Sequence, residues 1–429
     1  MHTRSCKLGT SVVLSLCATL FAIPQARAEL TLYDKDGWTL KHDGLAQGFY
    51  SLTMGDAVAK GDTPIVAQGW GAWDTGSIGD EDGHFVSSRF RSGWTGARFN
   101  WVAAKKVSEN TTVSAVLGVA YAISTDNGPT RTNNNWDIRS AFVKIENKDW
   151  GDVLIGRHVG LYTLGGIIST MQTTSAALGY GHGCGTLGDG LGCYTSGYGA
   201  KFPGFWSGIQ YQTPNWGGLR IKVAALDPVT AGADSAAGAP PVSVAYNRRP
   251  LPMFQTLIRY EGDFNTFKLT PYFNGFAQKV GRAGSSDSLT PMGGGAGLDF
   301  SIGGFHVGAG GTLEHGTSFY GPLYTGASVI DGDAKLRNGS SFYAHALYSF
   351  DGIVDVNAGY GQTNIKRTSF DAMNNLNVQT MQNNIYGAVQ YHWEKLVTFI
   401  AEVNLLNHKW QEGNHQKVQI FNLGMSFSY

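Results

Sequence analysis

The chain has 429 residues, with 32 basic and 32 acidic side chains, 15% charged residues, 42% hydrophobic, 12% aromatic and 59 glycines. Charge well below the usual ~25% and glycine at about twice the usual ~7% set it apart from ordinary soluble domains. The balance of charge excludes a basic nucleic-acid binder or an acidic tail protein, and the aromatic content argues against disorder.

Arg4 and Lys7 precede an apolar run over 8–23, and Ala26-Arg27-Ala28 fits a small-x-small cleavage site. This is the pattern of a secretory signal over 1–28, with one mature domain over 29–429. A lipoprotein reading has only Leu14-Ser15-Leu16-Cys17 behind it, and the bulky Leu16 spoils the match. Loss of Arg4, Lys7 and Arg27 with the leader turns the mature chain net acidic. After the leader no apolar run approaches the ~20 residues of a spanning helix.

From Trp38 onward, segments of roughly ten residues carry one apolar and one polar face. In the strand at the C-terminus, Phe421, Leu423, Met425 and Phe427 alternate with Asn422, Gly424, Ser426 and Ser428. Ile385, Val389, Tyr391 and Trp393 lie opposite Asn384, Gln390 and His392, and Val397, Phe399, Ala401 and Val403 lie opposite Thr398, Glu402 and Asn404. Polar rows in successive strands are costly in a dry core and suit a wet lumen. Short turns fall at 108–110, 147–151, 214–217, 262–265, 303–304, 351–352 and 394–395. They alternate with long polar segments at 56–84, 125–134, 159–203, 227–252, 279–292, 316–338, 364–380 and 408–415. The alternation gives an all-β, closed antiparallel transmembrane β-barrel of about 16 strands, with long loops on one rim, and Tyr429 pairing near the strand that begins at Trp38. Trp94, Trp136, Tyr360 and Trp393 read as interface belts.

The segment 159–203 breaks the strand pattern and is nearly uncharged, with Asp189 and Lys201 its only charges in the stretch. Leu161, Tyr162, Leu164, Ile167, Ile168 and Met171 need something to pack on, so this loop is expected to fold into the barrel and narrow it, without regular structure of its own. Cys184 and Cys193 in an exported protein read as a disulfide. A metal site with His182 lacks a fourth ligand at usual spacing.

Several of these pieces resemble the general porins of Gram-negative bacteria: Tyr33 to Gly37, Ser88-Arg89-Phe90 through Gly96, Arg139 to Val143, Trp150 to Arg157, Ile209 to Leu219, and Phe421 to Tyr429. The resemblance implies a homotrimer of barrels in the outer membrane, among its lipids and lipopolysaccharide, each barrel passing small hydrophilic solutes without a cofactor, a metal or nucleic acid. It also implies a constriction with arginines on the wall and acids on the inward loop. Arg89 and Arg139 match the wall positions and Arg157 one near the loop root. Arg91 shares the strand face of Arg89 and reads equally as a rim residue. Simple alternation groups Arg139 with Ala141, Val143 and Ile145. The loop departs from the pattern in keeping only Asp189, so poorly countered arginines favour anions.

Two other functions compete with a passive channel. A substrate-selective pore would use Tyr162, Tyr180, Tyr194 and Tyr198 to stack sugars, or its arginines to bind an anion such as phosphate. A barrel-based enzyme would need a nucleophile constellation, and the sequence has no nucleophile elbow or metal motif; His392 reads as a lumen histidine.

Overall fold

A computed structural model describes residues 29–56, 83–91, 97–121, 136–173, 199–230, 246–316, 329–374, 377–394 and 396–429. The strands in order are β1 (Leu30–Lys35), β2 (Trp38–Asp56), β3 (His84–Arg91), β4 (Ala97–Lys106), β5 (Thr111–Tyr121), β6 (Trp136–Asn147) and β7 (Gly151–Val159). Helix α1 (Leu164–Thr173) follows, then β8 (Phe205–Gln212), β9 (Leu219–Leu226), β10 (Met253–Tyr260), β11 (Gly262–Asp263), β12 (Phe267–Ala277), β13 (Val280–Gly281) and β14 (Ser288–Leu289). The chain continues through β15 (Met292–Ile302), β16 (Phe305–His315), β17 (Asn338–Phe350) and β18 (Val354–Ile365). Helix α2 (Ser369–Met373), β19 (Gln379–Trp393), β20 (Val397–Trp410) and β21 (His415–Ser428) complete it.

Every neighbouring pair is antiparallel, and β21 returns to β2, from Leu45↔Ser428 to Gly55↔Val418, so the sheet closes on itself. β3 and β4 pair with successive lengths of β2, Phe49 to Asp56 and Trp38 to Leu45, and so form two parts of one barrel strand. The barrel therefore has 16 strands, as the alternation of long and short connections predicts. Closure satisfies the backbone groups that an open edge would leave in lipid. The seam is sealed at Tyr429, whose N–H and C=O both bond to Gly44, at 3.0 and 2.9 Å. Below that point β21 has ended, and β1 takes over the free edge of β2, from Leu30↔His42 to Lys35↔Trp38.

The wall is inside out relative to a soluble protein. Phe421, Leu423, Met425 and Phe427 are exposed, and so are Ile155, Ile209, Val223, Phe273, Ile385 and Phe399. Asn422, Ser426, Glu402, Asn404, Asn384 and Gln390 are buried on the inner face. The period of two puts these rows on opposite sides, and lipid outside with a polar lumen inside is the environment that suits both. Trp38, Trp150, Trp216 and Trp393 are all exposed beside short turns, which gives that rim an aromatic row. Among the described residues no helix is long and apolar enough to cross a membrane; the strands do the crossing.

Candidate functional site

The segment after β7 does enter the barrel. Gly160 turns the chain and bonds Gly204 (N–H to O, 2.9 Å), which closes the loop root. Leu161 and Tyr162 both donate their backbone N–H to Gln255 Oε1 on the wall strand β10, at 2.7 and 2.9 Å. The segment then forms α1, where only irregular structure is expected from sequence. Its apolar residues, Leu164, Ile167 and Ile168, recur at helical spacing, and they pack with Leu161 and Tyr162 against Leu226, Met253, Leu257 and Phe276. This is an extended apolar core inside the lumen, where smaller apolar clusters (Leu406, Val418 and Ile420; Phe49 and Ile400) also face inward among the polar rows.

α1 packs across the lumen on β10, β12, β15, β16 and β17. Glycines make that approach possible. A Cβ on Gly308 would run into His345, Ser169 and Asp299, and one on Gly165 would run into the Tyr272 ring. Polar contacts then fix the helix. Ser169 Oγ donates to Asp299 Oδ1 and lies 3.3 Å from His345 Nε2, with His306 Nε2 3.6 Å from Asp299. Asp299 binds the serine hydroxyl directly, whereas a nucleophilic triad needs its acid behind the histidine that contacts the serine, here His345. Tyr272 and Tyr343 bond through their hydroxyls beneath the helix.

The return limb is tied to the same wall. Lys201 Nζ pairs with Glu314 Oε2, neither side chain having any exposure, while Tyr162 Oη donates to Glu314 Oε1 at 2.7 Å. Gly199 N–H donates to Thr363 Oγ1 at 3.1 Å.

The structure places the residues expected at the constriction in different settings. Arg89 and Arg91 stand on β3 opposite Ser51 and Phe49 in backbone register; their side chains lie outside the described residues. Asp189, Cys184, Cys193 and His182 lie outside the described residues altogether. Arg139 is the extra residue of a β-bulge: Val119 pairs with Ile138 and Gly118 with Ser140. The bulge breaks the simple alternation that groups Arg139 with Ala141, Val143 and Ile145. Arg139 is buried between the exposed Ile138 and Ala141, with its guanidinium 5.5 Å from the Phe205 ring centroid. Arg157 does not face the pore. It pairs with Ala141 and Ser207, both exposed, and the pleat puts it in the outward row with Ile155.

Sequence reading passes over a different set of cations. Lys144 alternates with the exposed Val143 and Ile145, Lys222 and Arg220 with Ile221 and the exposed Val223, and Arg259 with the exposed Ile258. All four therefore face inward, and the strand period alone contains that signal. On the other side of the barrel, Glu402 Oε1 accepts from Asn404 (2.6 Å) and Asn422 (3.0 Å). His392 contacts Asp355 (2.9 Å) and Thr398 (3.0 Å) as a member of the lumen wall.

A sequence profile described as Gram-negative porin matches residues 65–428. No curated protein sequence matches the chain. Among solved structures it is similar to the outer membrane channel DcaP of Acinetobacter baumannii, with TM-score 0.64 and 14% identity over 93% of this chain and 100% of that one. It is also similar to the anion-selective porin of Comamonas acidovorans (0.58, 13%, 91% and 100%) and to Salmonella typhi OmpF in complex with daunomycin (0.53, 11%, 93% and 100%).

Proposed function

The chain belongs to the Gram-negative porin family, an outer-membrane channel, and on that premise we propose that it is a passive, water-filled pore for small hydrophilic solutes and ions that prefers anions. The observation that carries this reading is the inverted wall: polar rows inside, apolar rows outside, and a loop root pinned within the lumen. The anion preference is argued from the inward Lys144, Arg220, Lys222 and Arg259, four cations against the three acids that reach them, Glu146, Asp152 and Glu261, and from a helix α1 that contains no charged residue. Low-dielectric walls around a thin water column focus such a field. The active form is proposed to be a homotrimer set among outer-membrane lipids and lipopolysaccharide, with the 1–28 leader removed and Cys184 joined to Cys193. Single-channel recording across a salt gradient tests the reading: a reversal potential of the anion-preferring sign supports it, and a strongly cation-selective wild type overturns the preference.

A further inference from the structure

The inner wall on the short-turn side of the loop root holds a group of cations whose charges are unevenly matched. Arg220 and Arg259 stand directly opposite each other on β9 and β10. Both guanidiniums reach one carboxylate, Glu261, at 3.2 Å each. Lys144 is better served, with Glu146 at 2.6 Å and Asp152 at 3.4 Å. Lys222 lies between these two groups. Its cross-strand partners are Gln212 and Leu257, and it makes no ion pair among the described residues. The acid across β8 from it, Asp152, already accepts from Gln212 Nε2 at 3.2 Å and faces Lys144.

Two arginines sharing one acid, next to an unpaired lysine on a low-dielectric wall, repel one another. That arrangement is stabilised by anything that brings oxygen acceptors and negative charge to Lys222. Arginine and lysine together offer what an oxyanion needs: a planar fork and a compact point charge. We propose that Lys222, supported by Lys144, Arg220 and Arg259, forms a binding site in the lumen for a small oxyanion bearing carboxylate or phosphate groups. The site rests on the channel reading and deepens it, because it makes the pore hold selected anions briefly while chloride passes.

The test uses the full-length protein in a planar bilayer, with phosphate and citrate added separately to a chloride current. In the wild type either anion reduces the current, more strongly from the short-turn side. In Lys222→Gln the half-blocking concentration rises about fivefold, the upper end of what one partly exposed charge contact is worth, while Lys222→Arg keeps the block. Phosphate acting alone assigns the site to phosphates, and citrate acting alone assigns it to carboxylates. Binding heat of phosphate and citrate to detergent-solubilised wild type and Lys222→Gln is read in parallel, independently of conduction. A pore that passes chloride with no block and no binding heat overturns the site and leaves the channel standing. Binding heat lost in Lys222→Gln without any chloride current overturns the channel reading and keeps the site.

Discussion

Lys201 and Glu314 form an ion pair with no side-chain exposure at the point where the inward loop returns to its own barrel. Tyr162, on the outgoing limb, donates to the other oxygen of the same carboxylate. One residue of β16 therefore gathers both limbs of the loop. A buried ion pair is weak evidence for net stability, because desolvation offsets the attraction. Its effect here is positional: both limbs must dock together for either charge to be matched.

Glu314→Ala should release the loop. It leaves the Lys201 ammonium without its carboxylate and the Tyr162 hydroxyl without its acceptor, a loss on the order of 3–5 kcal/mol for breaking one buried pair. The barrel strands keep their own hydrogen bonds, so the protein still folds. Single-channel records should become noisy with a raised mean conductance, and the 160–204 segment should become protease-sensitive. The double substitution Lys201→Met with Glu314→Leu should restore a quiet record. A quiet wild-type-like record for Glu314→Ala alone would count against the latch.

Gly308→Val should act in the opposite direction. The added side chain meets His345, Ser169 and Asp299, which together hold α1 against the wall. Overpacking of this kind costs about 1–3 kcal/mol and is relieved by moving the softer partner, here the helix, away from β16 and further into the lumen. Conductance should fall with the barrel intact. An unchanged conductance would mean that the wall yields instead.

Much of the fold is legible in the sequence because a barrel repeats one rule. Phe421, Leu423 and Met425 against Asn422 and Ser426 announce the strand period, and Gly303-Gly304 or Asp351-Gly352 announce the turns. The candidate site is much less legible. Helix α1 escapes notice because Gly165, Gly166, Ser169 and Thr170 are weak helix formers, and because its apolar face is short. The inward placement of Lys144 and Lys222 follows from alternation with Val143 and Val223. Resemblance draws attention instead to Arg139, which a bulge takes out of the outward row of Ala141 and Val143, and to Arg157, which the pleat leaves in the outward row. A bulge is a single unpaired residue, and no local composition marks it.

The long-loop rim should be sensitive to acid through one pair. Arg337 binds Asp371 through both carboxylate oxygens and so clamps the 366–374 segment to the chain that enters β17. Burial pushes the Asp371 carboxyl up, but the hydrogen bonds and charge of Arg337, with Thr368, outweigh it and hold the group below the usual carboxylate range. A depressed folded pKa stabilises above the unfolded value of ~3.9, and that stability is lost as pH falls through the folded pKa. Hydrogen-exchange protection over 366–374, taken against the intrinsic rate at each pH, should be high at neutral pH and fall below about pH 4. Asp371→Asn should exchange faster at neutral pH and lose the acid dependence. A segment equally protected at pH 7 and pH 3 would contradict the clamp.

Cys184 and Cys193 are expected to be joined in protein exported to an oxidising compartment. The ring they close is short, so the restraint on the unfolded loop is at most roughly 3 kcal/mol in the chain-entropy model. Unreduced, denatured protein should show no free thiol from this pair, and reduction should release two. Two reactive thiols before reduction would rule the bridge out.

Arg89 remains the sharpest test of where selectivity is set. Its backbone stands opposite Ser51, which is buried on the inner row of β2. By resemblance to the general porins, Arg89 is proposed as a wall residue. The acidic segment 56–84, with Asp62, Asp74, Asp80, Glu81 and Asp82, opposes any basic wall by sequence alone. Charges separated from the narrow point by more than the Debye length of ~8 Å in physiological salt contribute little to its field, so a wall arginine should dominate if it lines that point. Arg89→Ala should then move the reversal potential toward cations and raise conductance slightly. Lys222→Gln should shift it in the same direction on its own. The two changes should add when combined, because the residues lie on separate strands and share no pairing partner. A reversal potential moved by Lys222→Gln and untouched by Arg89→Ala would place the selective part of the pore at the β6–β10 wall.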